Sequence, residues 1–373
     1  MSSQRESFTI GVEEEYQIIH PDTYELSSSS SALLHSAQKT LGEKAQPELQ
    51  LSQVEAATPV CRSLQEVRAE LMRMRREMIA AAERQGRYLA AAGTHPFSHW
   101  KSQRITPKER YQGIAEDMQQ LAREPIFGCH VHVGLQDREM ALQVMNRARI
   151  WLAPLLALAA NSPFWLGEDS GYASFRTMMW SRWPTSGQPQ HFNSLDEYNA
   201  LLHALIATGS IEDATRIYWD IRLSERFNTI EFRVTDCCLT VDEVVMIAGL
   251  TRAVVQTCYE QARREDPIPA VRPELLRVAH WRAARYGISR ELIDVVDQRE
   301  LPATALIEKM LDTLRPALEA EGNWEEIASL VRETLQQGNG ATRQRAAYQR
   351  NARMEDVVEF IVAETRRGIG KGT

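Results

Sequence analysis

Three short segments carry ionisable side chains two residues apart. Glu13 and Glu15 stand in Gly11-Val12-Glu13-Glu14-Glu15-Tyr16, His130 and His132 in Gly128-Cys129-His130-Val131-His132-Val133-Gly134, and Glu231 and Arg233 in Ile230-Glu231-Phe232-Arg233-Val234. Strand side chains alternate between faces, so each pair shares one face. In the second and third segments the apolar neighbours take the other. Any one pair alone reads as a solvated strand face. Together the three predict a cavity in which carboxylates converge. Two such charges about 4 Å apart repel by roughly 4 kcal/mol at an effective dielectric near 20. A stable fold then needs cations among them: divalent metal ions, Arg233, or both. Loss of one carboxylate is expected to relieve that repulsion. Many oxygens, few nitrogens and no thiolate favour Mg2+ or Mn2+ over Zn2+.

Glu55, in Leu51-Ser52-Gln53-Val54-Glu55-Ala56, extends the set. Glu48 lies an odd number of residues before it, which places the two on opposite faces unless the strand bulges. Cations outside the strands are Arg176, Arg282, Arg285, Arg343 and Arg345; each is available to a nucleotide or is simply a surface charge. Gly368-Ile369-Gly370-Lys371-Gly372-Thr373 looks like a phosphate-binding loop but lacks the spaced first glycine and the Ser/Thr after lysine, so it reads as a tail.

The elements that must position these residues follow from periodicity. Phe8, Ile10, Val12, Tyr16 and Ile18 share a parity and predict a strand over 8–19, with Glu14 an unexplained break. Further strands are expected over 49–57, 88–92, 126–134 and 229–235. Ser63-Leu64-Gln65-Glu66 has the form of a capping box before a helix with Leu64, Val67, Leu71, Met74 and Met78 on one stripe. One helix is expected from about 139 to Asn161-Ser162-Pro163, and another over 241–263. The stretch 165–191, rich in Trp, Gly, Pro and Ser, reads as a long functional loop. Strands and helices alternate irregularly, which predicts an α+β fold with a largely antiparallel sheet in one domain, 1–373.

Composition narrows the function. The chain has 373 residues, 43 basic against 50 acidic side chains, and is 43% hydrophobic, as expected of a folded globular protein rather than a disordered one. Mild acidity argues against nucleic acid as a partner. The five cysteines include no C-x-x-C pair, and Cys237 and Cys238 are adjacent, which predicts reduced thiols and a cytoplasmic location. Met1–Ser7 is polar and shows no signal peptide, and the apolar stretch 150–160 is too short to span a membrane. His130 follows Cys129 but takes the opposite face of the strand, so no cysteine is marked as a nucleophile.

Eight segments, in order, resemble the carboxylate-amine ligases of the glutamate–cysteine ligase type 2 family. They are Gly11–Tyr16, Gln53–Pro59, His130–Gly134, Asn161–Trp165, Gly171–Arg176, Arg182–Thr185, Glu231–Val234 and Gly338–Arg345. The resemblance implies a fold like the glutamine synthetase catalytic domain: a curved antiparallel sheet, helices on one side, with ATP, Mg2+ ions and an amino acid on its concave face. It implies ATP-dependent amide formation through a phosphorylated carboxylate. By the same resemblance Glu13, Glu15, Glu55, His130 and Glu231 are metal ligands, His132 lies near the phosphates, and Arg233 contacts the transferred phosphoryl group. Small-molecule amino acid and amine substrates and a homodimer are implied too. Two rival readings differ in class. A metal-dependent hydrolase would need further His and Asp ligands at the ends of parallel strands. A nucleotide-binding protein with degenerate activity would bind ATP without turnover.

Overall fold

The computed structural model describes residues 8–370. The Met1–Ser7 segment and the last three residues of the Gly-rich tail lie outside them.

Strands β1 (Ile10–Ile19), β2 (Ala45–Pro47), β3 (Gln53–Ala57), β4 (Tyr88–Ala90), β5 (Gly128–Gly134), β6 (Ile221–Leu223) and β7 (Thr229–Asp236) form one open sheet. Its order is β6-β7-β5-β1-β3-β2, with β4 pairing the far end of β1, and every pairing is antiparallel. The expected α+β architecture is thus present.

One face of the sheet is apolar because alternate residues are. Ile10, Val12, Cys129, Val131, Val133, Ile230, Phe232 and Val234 pack into a core with helices α1 (Leu64–Arg84), α2 (Arg138–Ala148), α3 (Leu152–Ala159) and α4 (Val241–Arg263). Each fully buried aliphatic or aromatic side chain there contributes about 1.5–3 kcal/mol. Helix α1 starts where Ser63 Oγ accepts from the Glu66 N–H at 3.2 Å; the Glu66 carboxylate turns to the Arg62 N–H, leaving the box half formed. The complete box is at α4, between Thr240 and Glu243.

Glu14, the break in the β1 pattern, is answered by α1. Arg75 reaches down from that helix and its guanidinium bonds the Glu14 carboxylate at 2.5 Å. Tyr16 donates its hydroxyl to the same carboxylate at 2.6 Å, and Arg75 also donates to the Leu239 and Cys238 carbonyls. A buried charge is tolerable only when paired and hydrogen-bonded in this way.

Two expectations about elements need correction. Residues 49–57 are not one strand: β2 and β3 form a hairpin with Gln46 opposite Glu55, and a turn lies between. The helix expected from 139 is interrupted at Arg149–Trp151 by a tighter turn. Pro154 has no N–H to give the Ile150 carbonyl, and its ring crowds that position. The stretch 165–191 holds a short hairpin, Phe164–Trp165 with Glu168–Asp169, and a helix, Phe175–Trp180.

Candidate active site

The second face of the sheet lines a cleft of about 700 Å³. Strand register assembles it. Glu13 stands opposite His130, Glu15 opposite Glu55, Glu231 opposite His132, and Arg222 opposite Glu231. Five strands thus lay their polar parity side by side. A bulge in β7 between Phe232 and Thr235 interrupts the ladder to β5, while on the other edge the Arg233 N–H continues the β6 register to the Asp220 carbonyl at 2.8 Å.

Two groups of ligand atoms result, each within 4.8 Å: Glu13, His132 and Glu231, and Glu15, Glu48 and Glu55. Glu48 joins because the β2–β3 turn resets the parity on which the odd spacing was judged. His130 lies between the groups. Its Nδ1 is 3.3 Å from Glu13, and its Nε2, 3.9 Å from Glu15, is buried without a hydrogen bond. Burial, then the nearby Arg233 charge, pulls this imidazole down to about 4, so the ring is neutral near pH 7. With Nδ1–H donated to Glu13, the Nε2 lone pair is free for a metal. These donors fit Mg2+ or Mn2+.

The two groups differ electrically. Burial pushes the Glu13 carboxyl up, but the His130 and His132 rings beside it hold it well below the usual range. Burial likewise opposes Glu231, yet Arg233 and Arg222 pull it down; Arg222 Nε lies 2.7 Å away and Arg233 makes an ion pair. Burial lowers His132, and contact with Glu13 outweighs it and raises the ring. In the other group the compensation from Arg176, Arg233 and backbone N–H donors is outweighed. Burial and the Glu48 charge raise Glu15 to about 7. Burial and the charges of Glu13, Glu48 and Glu15 push Glu55 far up, and burial raises Glu48. The expectation that losing one carboxylate relieves repulsion does not fit Glu231, which is the anion balancing two guanidiniums.

The structure places Glu13, Glu15, Glu55, His130, His132, Glu231, Arg233 and Arg176 around the cleft. Arg176 is buried there, its guanidinium 3.4 Å from the Arg233 carbonyl. Gly128 makes room for it, since a Cβ would lie 2.4 Å from Arg176 and 2.9 Å from His130 Nε2. Four of the candidate arginines are not brought to the cleft. Arg282 pairs with Glu300, Arg343 with Glu243 and Glu364, and Arg345 with Asp169. Arg285 lies over the Tyr172 and Tyr286 rings. The Gly338–Arg345 segment has another task. Gln344 donates to the Asn161 carbonyl and side chain, and Asn339 to the Ala157 carbonyl. Gly340 lies so close to Asn161 that a Cβ would meet it at 2.1 Å.

Sequence reasoning missed Arg222 and the aromatic wall of Trp180, Trp183 and Tyr218, whose ring centroids lie 5.2–5.3 Å apart. The alternation Ile221-Arg222-Leu223 was a signal for the first.

The profile of glutamate-cysteine ligase family 2 matches residues 9–364. A Rhodopirellula baltica protein provisionally named glutamate–cysteine ligase 2 is 41% identical over 363 residues, covering 96% of each chain. A Frankia alni protein provisionally named glutamate–cysteine ligase 2-2 is 41% identical over 373 residues, covering 96% of this chain and 97% of its own. Among solved structures, the glutamate–cysteine ligase of Francisella tularensis in complex with AMP superposes with a TM-score of 0.68 at 11% identity, over 97% of this chain and 90% of that one. A Pup ligase, solved with the ubiquitin-like protein Pup, gives a TM-score of 0.56 at 13% identity over 98% and 75%. The fold is therefore that of the glutamine synthetase-like ligases, and the antiparallel sheet gives the hydrolase reading no support. On sequence and fold together, the chain belongs to glutamate–cysteine ligase family 2 and is an ATP-dependent ligase that forms amide bonds.

Proposed function

We propose that the chain joins the γ-carboxylate of glutamate to an amine, with cysteine the first candidate, through an acyl phosphate. The observation that carries this is the register of β1, β3, β5, β6 and β7, which gathers carboxylates and guanidiniums on one sheet face. A carboxylate is a poor acyl donor because its leaving group would be oxide. Its oxygen attacks the γ-phosphorus of ATP, the bond to ADP breaks, and the product carries a phosphate leaving group. The amine then attacks the acyl carbon, releasing phosphate and a proton. Glu13, His130, His132 and Glu231 on one side and Glu15, Glu48 and Glu55 on the other would hold Mg2+ or Mn2+, which would supply positive charge to the ATP phosphates. Arg233, fixed by Glu231, presents a guanidinium to the transferred phosphoryl group, where fixed charge acts most strongly. Arg176 offers a second guanidinium to the substrate carboxylate. No protein nucleophile enters; all five cysteines are buried and free.

The match over residues 9–364 supports reading the chain as one catalytic domain. Family resemblance supports a homodimer, and free thiols support a cytoplasmic location. Among the described residues no helix is long and apolar enough to cross a membrane.

Hydroxylamine tests the reaction because it replaces the amine. Enzyme, ATP and Mg2+ with hydroxylamine and a panel of amino acids should give a hydroxamate and ADP with glutamate. AMP and pyrophosphate would replace phosphorylation by adenylation, and amide cleavage without ATP would overturn the ligase assignment.

A further inference from the structure

The end of the cleft beside Glu15, Glu48 and Glu55 differs in kind from the rest. Its lining is apolar and largely aromatic: Leu49, Tyr111, Ile114, Trp180, Trp183 and Tyr218. Three parts of the chain supply these side chains. Leu49 stands in the turn between β2 and β3. Tyr111 and Ile114, three residues apart, share one face of the helix Glu109–Met118. Trp180 ends the helix Phe175–Trp180, Trp183 lies in the turn after it, and Tyr218 opens the short strand Tyr218–Trp219 that leads into β6. The polar atoms of the two half-buried rings are engaged on the protein. Trp180 Nε1 donates to the Tyr218 carbonyl at 3.1 Å, and the Tyr111 hydroxyl donates to the Pro47 carbonyl at 2.8 Å. What Trp180 and Tyr111 keep for a ligand is therefore apolar ring surface.

This wall adjoins the groups that carry the chemistry. The Arg233 guanidinium lies over the Trp180 ring, 5.8 Å from its centroid. Burial, then the charges of Glu48 and Glu55, push the Tyr111 hydroxyl up. Arg110 precedes Tyr111 and lines the same end. Its Nη2 donates to Thr215 Oγ1 at 2.9 Å, which ties the helix to the segment carrying Tyr218. Among the described residues Arg110 forms no ion pair, although Glu48 and Asp213 feel its charge.

We infer that this end is the acceptor subsite and that the acceptor is an α-amino acid with an aromatic or large aliphatic side chain. The side chain lies against Tyr111 and Trp180, the carboxylate meets Arg110, and the amine faces the acyl phosphate. The amine nitrogen bonds to the acyl carbon, the bond from that carbon to the phosphate oxygen breaks, and one amine proton is released with the phosphate. This rests on the ligase reading and goes further by naming the class of acceptor. A pocket of this kind gains roughly ten-fold or more in kcat/KM for each methylene that fills it. Cysteine, with a single atom beyond Cβ, leaves most of the apolar wall wet.

The test begins with hydroxylamine, which needs no side-chain pocket. With ATP, Mg2+ and the donor that gives a hydroxamate, the wild type is then offered phenylalanine, cysteine and phenethylamine, and ADP release is followed. Phenylalanine should exceed cysteine in kcat/KM by roughly ten-fold or more. Tyr111→Ala should lower kcat/KM for phenylalanine roughly ten-fold more than for hydroxylamine, and Tyr111→Phe, which keeps the ring, should restore it. Arg110→Gln should raise the KM for phenylalanine several-fold more than that for phenethylamine, which has no carboxylate. Equal or better use of cysteine, or equal losses for phenylalanine and hydroxylamine in Tyr111→Ala, would overturn the acceptor assignment. No hydroxamate from the wild type with any donor would instead overturn the ligase reading itself.

Discussion

Glu231 and Glu55 are both buried carboxylates on the same sheet face, and their surroundings give them opposite energetic signs. Glu231 is drawn toward its charged form by Arg233 and Arg222, so Glu231→Gln leaves two guanidiniums without their anion. That change should cost about 3 kcal/mol of stability as well as activity. Glu55 is held far above its ordinary range by burial and by Glu13, Glu48 and Glu15. Glu55→Gln removes a charge that the apo fold tolerates badly, so it should raise the melting temperature near pH 7 in the presence of EDTA while abolishing turnover. Thermal melts of the two variants side by side decide the matter; shifts of the same sign would contradict the electrostatics described. A third variant, Arg233→Lys, keeps the charge but loses the planar fork. It should lower kcat by more than it raises the KM for ATP, and a change in KM alone would mean that Arg233 binds nucleotide without assisting transfer.

At the scale of elements, the most exacting contact is the one between α1 and β1. Arg75 and Glu14 are both fully enclosed, and either alone is an uncompensated charge in the core. Arg75→Leu should destabilise by about 3–5 kcal/mol, and adding Glu14→Leu should recover most of it, as read by urea denaturation of the single and double variants. A double variant no better than the single one would show that the pair does not act as a unit. The same contact marks the limit of what the sequence discloses. Parity along β1, β5 and β7 was legible, and with it the pairs Glu13–Glu15, His130–His132 and Glu231–Arg233. Glu14 stood out only as an exception, because its partner lies 61 residues away on a helix whose arginines all look alike. Glu48 stayed open for a related reason: alternation carries along one strand and not around a turn. The C-terminal arginines were misleading because Gly338–Arg345 matches the family as a segment. Its geometry shows that Gly340 and Gln344 brace Asn161 and that Asn339 holds the Ala157 carbonyl, while Arg343 and Arg345 pair elsewhere.

For the whole molecule, a cleft lined with unbalanced acid makes stability depend on pH and metal together. Glu15 titrates at about 7 in the folded protein against 4.5 ordinarily. A carboxyl whose folded value is raised contributes stability that is complete below its unfolded value and is lost as pH rises through the folded one. Without divalent metal, the melting temperature should therefore fall between about pH 5 and about pH 8. Mg2+ should stabilise more at the upper end, because binding requires the carboxylates deprotonated. Melts with EDTA and with Mg2+ across that range test it, and a metal effect independent of pH would mean that Glu15 and its neighbours are already ionised in the apo protein.

The brace on Asn161 also sets a schedule. Gln344 follows Asn161 by 183 residues, and Asp236, which accepts from the Asn161 N–H, follows by 75. On a ribosome these strands, with their carboxylates, emerge first and wait for the segment that steadies the floor behind them. A growing chain that has already made Glu13, His130 and Glu231 still lacks the strut at Asn161, so the finished pocket comes into being only after Gln344 has been made.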